Sequence, residues 1–273
     1  MMLFLDDIVA NGQRPLLTIC HTRGSPGGER PGCPHLESSA TAAYSLQMSY
    51  VLLFDIDGTL LTTGGAGQLA MERALAKVFG LTTINGEILA AGRTDRAITS
   101  DLFREHQIVA NAEDWSRFQA EYLSQLPDTM REQEGQILPG ISALLTKLAS
   151  LDNISLGLLT GNFRDGAALK LQHFDLDHHF RFGGFGDDHH DRDDVARVAM
   201  ADASHHLGRE IDPRRVWVLG DTPADVRCAR AIGANVAAVA TGIYSHQELQ
   251  PTAPDLLFED FADAAPLLDR LCD

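Results

Sequence analysis

The sequence predicts an α/β protein, a doubly wound parallel sheet carrying an all-helical subdomain inserted near its start. Three observations predict it. Short apolar runs of strand length recur at residues 51–54, 154–159, 216–219, 236–239 and, more weakly, 256–258. Continuous apolar runs of that length suit strands buried on both faces. Helical patterns at 141–150, 167–174, 195–207 and 223–231 fall between those runs. Such alternation implies parallel strands joined by right-handed crossovers. Residues 64–137 break the rhythm, with helical patterns and no convincing strand.

Residues 1–47 differ in character from residues 48–273. The stretch 23–39 is rich in Gly, Pro and Ser and has no sustained period of 2 or 3.6. An irregular leader without a packed core is expected there. Met48 stands directly before the first apolar run, so a natural start at or near Met48 is a further expectation. The first ten residues carry Asp6 and Asp7 and no basic segment, unlike a signal peptide. The core is then expected over 48–63 and 138–273, with the helical insertion over 64–137.

Within the insertion, residues 68–79 place Leu69, Leu75, Ala76 and Phe79 at helix-compatible spacing. Further helices are expected over 95–106 and 114–126. The Gly64-Gly65-Ala66-Gly67 segment reads as a hinge into the insertion, or as a plain loop. In the core, residues 180–185 suggest one more short strand. Gly233 suits the end of the helix over 223–231.

The chain has 273 residues, 44% hydrophobic and 22% charged, within the range of globular proteins. Its formal net charge is −16. A field of that sign repels nucleic acid and anionic membrane, so neither is an expected partner. No apolar run is long enough to span a bilayer. The cysteines, Cys20, Cys33, Cys228 and Cys272, show neither metal-ligand spacing nor a disulfide framework, which suits a reducing cytoplasm.

Three motifs carry chemistry. Asp55-Ile56-Asp57-Gly58-Thr59 follows the first apolar run. Carboxylates at i and i+2 on an extended segment point the same way. One can attack phosphorus while the other handles protons; the bland alternative is a strand-end turn. Thr160-Gly161-Asn162 follows the second run, offering a hydroxyl and backbone N–H groups to phosphate oxygens, or an ordinary helix cap. Gly220-Asp221-Thr222-Pro223-Ala224-Asp225 follows the third, with Pro223 suited to a first helical turn. Each motif lies at the carboxyl end of a predicted parallel strand, where open sheets bind ligands. Four converging carboxylates repel one another without a cation among them. Mg²⁺ with an anionic phosphate substrate satisfies both needs.

In content, order and spacing these motifs resemble the haloacid dehalogenase-like (HAD) hydrolase superfamily, over roughly residues 49–273. The resemblance implies a Rossmann-like core and a set of roles. Asp55 would be the nucleophile, forming an aspartyl-phosphate. Asp57 would protonate the leaving alcohol and then activate water, its backbone carbonyl also binding metal. Thr160 and the Gly161 N–H would hold the phosphate. Asp221 would bind Mg²⁺ directly, and Asp225 through water or by orienting its neighbours. Family members carry a further basic residue, usually Lys. Here the matching segment is Asp191-Arg192-Asp193-Asp194, so Arg192 would pair with Asp55 and the phosphate. Lys170, the nearest lysine, lies in a helical stretch and is expected on a solvated face.

The insertion resembles the cap of phosphoglycolate-phosphatase-like members, as does Gly92-Arg93-Thr94-Asp95. Arg93 or Arg96 would then reach the non-reacting part of an anionic substrate. The alternative is a loop with a surface arginine and Asp95 as helix cap. Seven of the eleven histidines fall between 173 and 206, but their spacing matches no standard zinc pattern and their Asp-rich company suggests a solvated surface.

The expected activity is Mg²⁺-dependent hydrolysis of a small phosphorylated metabolite, phosphoglycolate being the guess by resemblance. A sugar-phosphate mutase of the same superfamily would use the same core residues. Dehalogenation is disfavoured, because the superfamily's dehalogenases lack the carboxylate that Asp57 supplies. A non-catalytic binding protein would tolerate loss of motif residues that are all present.

Overall fold

The computed structural model describes residues 49–84 and 90–272. The expected leader, Cys20 and Cys33 lie outside them. Six parallel strands form the main sheet: β1 (Tyr50–Phe54), β4 (Ile154–Leu159), β5 (Gly183–Gly184), β6 (Val216–Gly220), β7 (Asn235–Val239) and β8 (Leu256–Phe258). Their order is β5-β4-β1-β6-β7-β8, with the first strand in the middle. The chain winds outward on one side of β1 and then on the other, the doubly wound topology expected.

Alternation along β1 sends side chains to opposite faces. Leu52 and Phe54 join a core with Leu156, Leu158, Trp217 and Leu219. Val51 and Leu53 join a second with Val195, Val216, Val218 and Val236. Both faces are covered by helices, including α4 (Ile141–Ala149), α5 (Arg164–His173), α6 (Arg192–Leu207) and α7 (Pro223–Ala231). Short α8 (His246–Leu249) and α9 (Ala265–Cys272) come last. The strand suggested over 180–185 is the two-residue β5.

The insertion holds α1 (Ala66–Phe79), α2 (Asp95–Glu105) and α3 (Ala112–Glu132) around a core of its own. Leu75, Leu102, Phe118, Tyr122 and Leu126 pack there, joined by Phe163 from the loop after β4. The aromatic edges of Phe79, Trp115 and Phe118 meet Phe103.

Local structure departs from the sequence reading in three places. A two-stranded antiparallel pair, β2 (Leu61–Thr62) with β3 (Gln136–Ile137), closes the base of the insertion, where no strand was expected. Two residues carry no period; the pair forms because the chain re-enters beside its exit. Second, α3 runs through Pro127, past the expected stop at residue 126. Thr129 and Met130, buried beyond the proline, hold the continuation in place. Third, Ala66 and Gly67 belong to the first turn of α1, so only Gly64 and Gly65 of the expected hinge lie outside the helix.

Candidate active site

Strand register assembles the site. Phe54 pairs with Leu158 on one side and with Leu219 on the other. Asp55, Thr160 and Asp221 therefore leave neighbouring strand ends together, and the Asp55 N–H still donates to Leu219 O at 2.9 Å. Asp55, Asp221 and Asp225 are buried, with one carboxylate oxygen of each lying within 4.8 Å of the others. The Arg192 guanidinium bridges two of them, 3.0 Å from Asp55 Oδ1 and 2.6 Å from Asp225 Oδ1. Asp191 caps α6 by accepting from the Asp193 N–H, which fixes Arg192 at the first helical position.

Burial pushes the Asp55 carboxyl up to about 6; Arg192 opposes this, and Asp225 and Asp57 add to it. Asp221 is pushed well above the carboxylate range, first by burial and then by Asp225 and Asp55. One arginine does not offset three buried carboxylates, and such a cluster fits a hard cation that prefers oxygen ligands. The backbone fits it too. A Cβ on Gly58 would lie 2.4 Å from Asp221 Oδ2, and one on Gly242 1.7 Å from it. Gly58 also has φ +83°, which glycine adopts freely. Thr59 Oγ1 donates to Asp221 Oδ1 at 3.2 Å. Asp225 is differently engaged: its Oδ2 accepts from Thr222 N and Oγ1, and its Oδ1 from Arg192. That arrangement suits an orienting carboxylate.

Asp57 stands apart, its side chain 42% exposed. Its Oδ2 accepts from Lys170 Nζ at 2.6 Å and from Asn162 Nδ2 at 2.8 Å. Lys170 Nζ also donates to Asn162 Oδ1 at 2.6 Å. This corrects the expectation of a solvated lysine, because the Lys170 side chain is only 6% exposed. Spacing explains the difference. Gly166 and Lys170, at i and i+4, share the buried face of α5 with Ala167.

Thr160 is buried, and its Oγ1 accepts from Asn162 Nδ2 at 2.8 Å, leaving the hydroxyl hydrogen to donate. Gly161 O accepts from the Asp95 N–H at 2.7 Å, and Asp95 Oδ2 accepts from the Phe163 N–H at 2.8 Å. The insertion is thereby hydrogen-bonded to the loop after β4. A Cβ on Gly161 would meet Arg93 O at 2.0 Å. The cap of α2 is Thr94, whose Oγ1 accepts from the Ala97 N–H; Asp95 serves the docking contact instead. Burial raises the Asp95 carboxyl to about 6, against the lowering pull of Lys170.

A cavity of about 480 Å³ lies between core and insertion. It is lined by Asp55, Asp57, Thr160, Gly161, Arg192 and Asp221, among others. Arg93 also lines it, with its guanidinium on Asp101 Oδ2 at 2.5 Å. Arg96 is not among the lining residues; its guanidinium sits 3.9 Å from the Trp115 ring centre. Three lining residues were missed as site residues, Asn162, Lys170 and Tyr122. Asn162 closes the second motif and was open to detection; the other two lie inside helices without any motif. Of the clustered histidines, His178 comes close to exposed Asp175 and Asp177 on the surface. Among the described residues, no helix is long and apolar enough to cross a membrane.

Residues 52–239 match the family model described as haloacid dehalogenase-like hydrolase. No curated protein sequence matches the chain closely enough to inform it. Solved structures do. A hydrolase from Pseudomonas syringae matches with TM-score 0.61 at 22% identity, over 81% of this chain and 98% of that one. A predicted phosphoglycolate phosphatase from Haemophilus somnus matches with TM-score 0.60 at 18% identity, over 81% and 98%. A putative β-phosphoglucomutase from Thermotoga maritima matches with TM-score 0.52 at 18% identity, over 81% and 99%. At these identities the likeness concerns the fold.

Proposed function

Since the chain belongs to the haloacid dehalogenase-like hydrolase family, we propose that it is a Mg²⁺-dependent phosphatase. Its substrate is a small phosphorylated metabolite, and its place of action the cytoplasm. One observation carries the reading: buried Asp55 sits 3.0 Å from Arg192, inside a cluster of three carboxylates, on the wall of a cavity.

An Asp55 carboxylate oxygen attacks phosphorus, and the bond from phosphorus to the leaving oxygen breaks. The product is an aspartyl-phosphate on Asp55 and an alcohol. Asp57 supplies the alcohol's proton. Lys170 and Asn162 both hold Oδ2 of Asp57, so Oδ1 is the oxygen left to carry that proton. Asp57 then takes a proton from water, which attacks the same phosphorus and frees Asp55. Arg192, the Thr160 hydroxyl and the Gly161 N–H hold the phosphate oxygens. Arg93 reaches the far end of the substrate from the cavity wall. Asp55 and Asp221, with the Asp57 backbone carbonyl, would hold Mg²⁺, while Asp225 orients Arg192 and Thr222. When bound, the ion neutralises charge on the phosphate and keeps Asp55 ionised.

Hydrolysis of p-nitrophenyl phosphate tests the reading. Activity should require Mg²⁺, stop with EDTA and fall at least about a thousandfold in Asp55→Asn. Full activity in Asp55→Asn would end it. A mutase would share these residues, as the β-phosphoglucomutase-like neighbour does the fold. Release of free phosphate, with no isomerised sugar phosphate, separates the two.

A further inference from the structure

We infer that Tyr122 and Lys170, flanking Gly67 at the cap end of the cavity, form a subsite for a hydroxyl group on a neutral, hydroxylated leaving group. The inference rests on the phosphatase reading and specifies which esters that site accepts.

Tyr122 in α3 is fully buried and lines the cavity, yet its hydroxyl has no hydrogen-bond partner among the described residues. A buried hydroxyl left unpaired is unfavourable, whereas a ring without one would pack equally well against Phe163. A ligand oxygen would satisfy it. Lys170 offers a second donor beside it. Its ammonium has three N–H groups, and Asp57 and Asn162 take two.

Gly67 marks where the ligand oxygen fits. A Cβ there would stand 3.5 Å from Lys170 Nζ and 4.0 Å from the Tyr122 hydroxyl oxygen. A ligand atom slightly deeper comes within hydrogen-bond reach of both. Gly67, Lys170 and Tyr122 all line the cavity at this point.

Charge decides the kind of oxygen. Around this corner Asp57 and Asp95 outnumber Lys170, and the Arg93 guanidinium is held on Asp101, which Arg104 shares. No net positive charge remains there for a carboxylate or a second phosphate. A neutral hydroxyl can accept from Lys170 and exchange a hydrogen bond with Tyr122. Burial, with Asp95 and Asp57 nearby, keeps Tyr122 protonated, so it remains both donor and acceptor.

Matched ester pairs test the subsite: glycerol 1-phosphate against propyl phosphate, ribose 5-phosphate against pentyl phosphate, and phosphoglycolate against ethyl phosphate. The hydroxylated ester of at least one of the first two pairs should be favoured in kcat/KM by at least about tenfold. The carboxylate should bring no such gain. Tyr122→Phe should reduce that hydroxyl preference at least about fivefold, through KM, without lowering Tm, because no protein hydrogen bond is lost. Gly67→Ala, which brings only ordinary contacts in a helix, should reduce it as well. Hydrolysis without hydroxyl preference, preference unchanged in both variants, or a tenfold gain for phosphoglycolate would overturn the subsite alone. No hydrolysis of these esters or of p-nitrophenyl phosphate would overturn the phosphatase reading and the subsite with it.

Discussion

At the scale of single residues, the site divides two cations between two sets of carboxylates. Arg192 serves the buried set, Asp55 and Asp225, while Lys170 serves Asp57. One guanidinium nitrogen, Nη2, makes all of the Arg192 contacts, to Asp55, Asp225 and Leu159 O. An ammonium has three N–H donors, one more than that nitrogen, so Lys is a workable replacement if it reaches. Arg192→Lys should keep activity within about tenfold, while Arg192→Ala should lose at least a hundredfold and about 3–5 kcal/mol of stability, because it leaves buried carboxylates unpaired. Steady-state kinetics beside chemical denaturation check both. Equal losses in the two variants would mean that the guanidinium shape is required. Asp55, Asp57, Asp221 and Asp225 were legible in the sequence because each comes closely after an apolar strand, where position alone brings residues to the site. Lys170 and Tyr122 were not. Each reaches the cavity from a helix interior, and which helix face turns inward depends on tertiary packing that no local pattern carries.

At the scale of elements, the five main apolar runs and their helices were legible because strands buried on both faces leave continuous runs. The helical insertion was legible as the interval without such runs. What joins insertion to core was not, because each of its hydrogen bonds ends on a backbone group of the loop after β4, which leaves no residue pattern. Asp95 carries that junction, donating from its N–H to Gly161 O and accepting from Phe163 N–H. Its carboxyl, raised to about 6 by burial, has a pH consequence. In the unfolded chain the group titrates near 3.8, so between 3.8 and 6 the folded protein binds more protons. Stability therefore falls as pH rises through that window and levels off above it. Two pKa units correspond to about 3 kcal/mol. Asp95→Asn keeps an acceptor for Phe163 and has no charge to bury. Its stability, from urea unfolding between pH 4 and 7, should fall less steeply than that of the wild type without metal. Parallel curves would show that Asp95 titrates normally.

At the scale of the whole molecule, the −16 charge and the buried carboxylates make the same demand for cations, by different routes. Diffuse charge on the surface is screened by any salt. The cluster of Asp55, Asp221 and Asp225 is enclosed, and Gly58 and Gly242 leave room for backbone only around Asp221, so it should discriminate among ions. An ion that binds only the folded state stabilises by mass action, about 2.7 kcal/mol at a hundred times its Kd. For a domain of this size that corresponds to roughly 5–10 °C in Tm. Millimolar MgCl₂ should therefore raise Tm well beyond NaCl of equal ionic strength. In Asp221→Asn the two salts should act alike, because only the screening of surface charge is left. The same dependence in wild type and Asp221→Asn would place the effect of Mg²⁺ on the surface, and the enclosed carboxylates would then have to be held by protonation and by Arg192 alone.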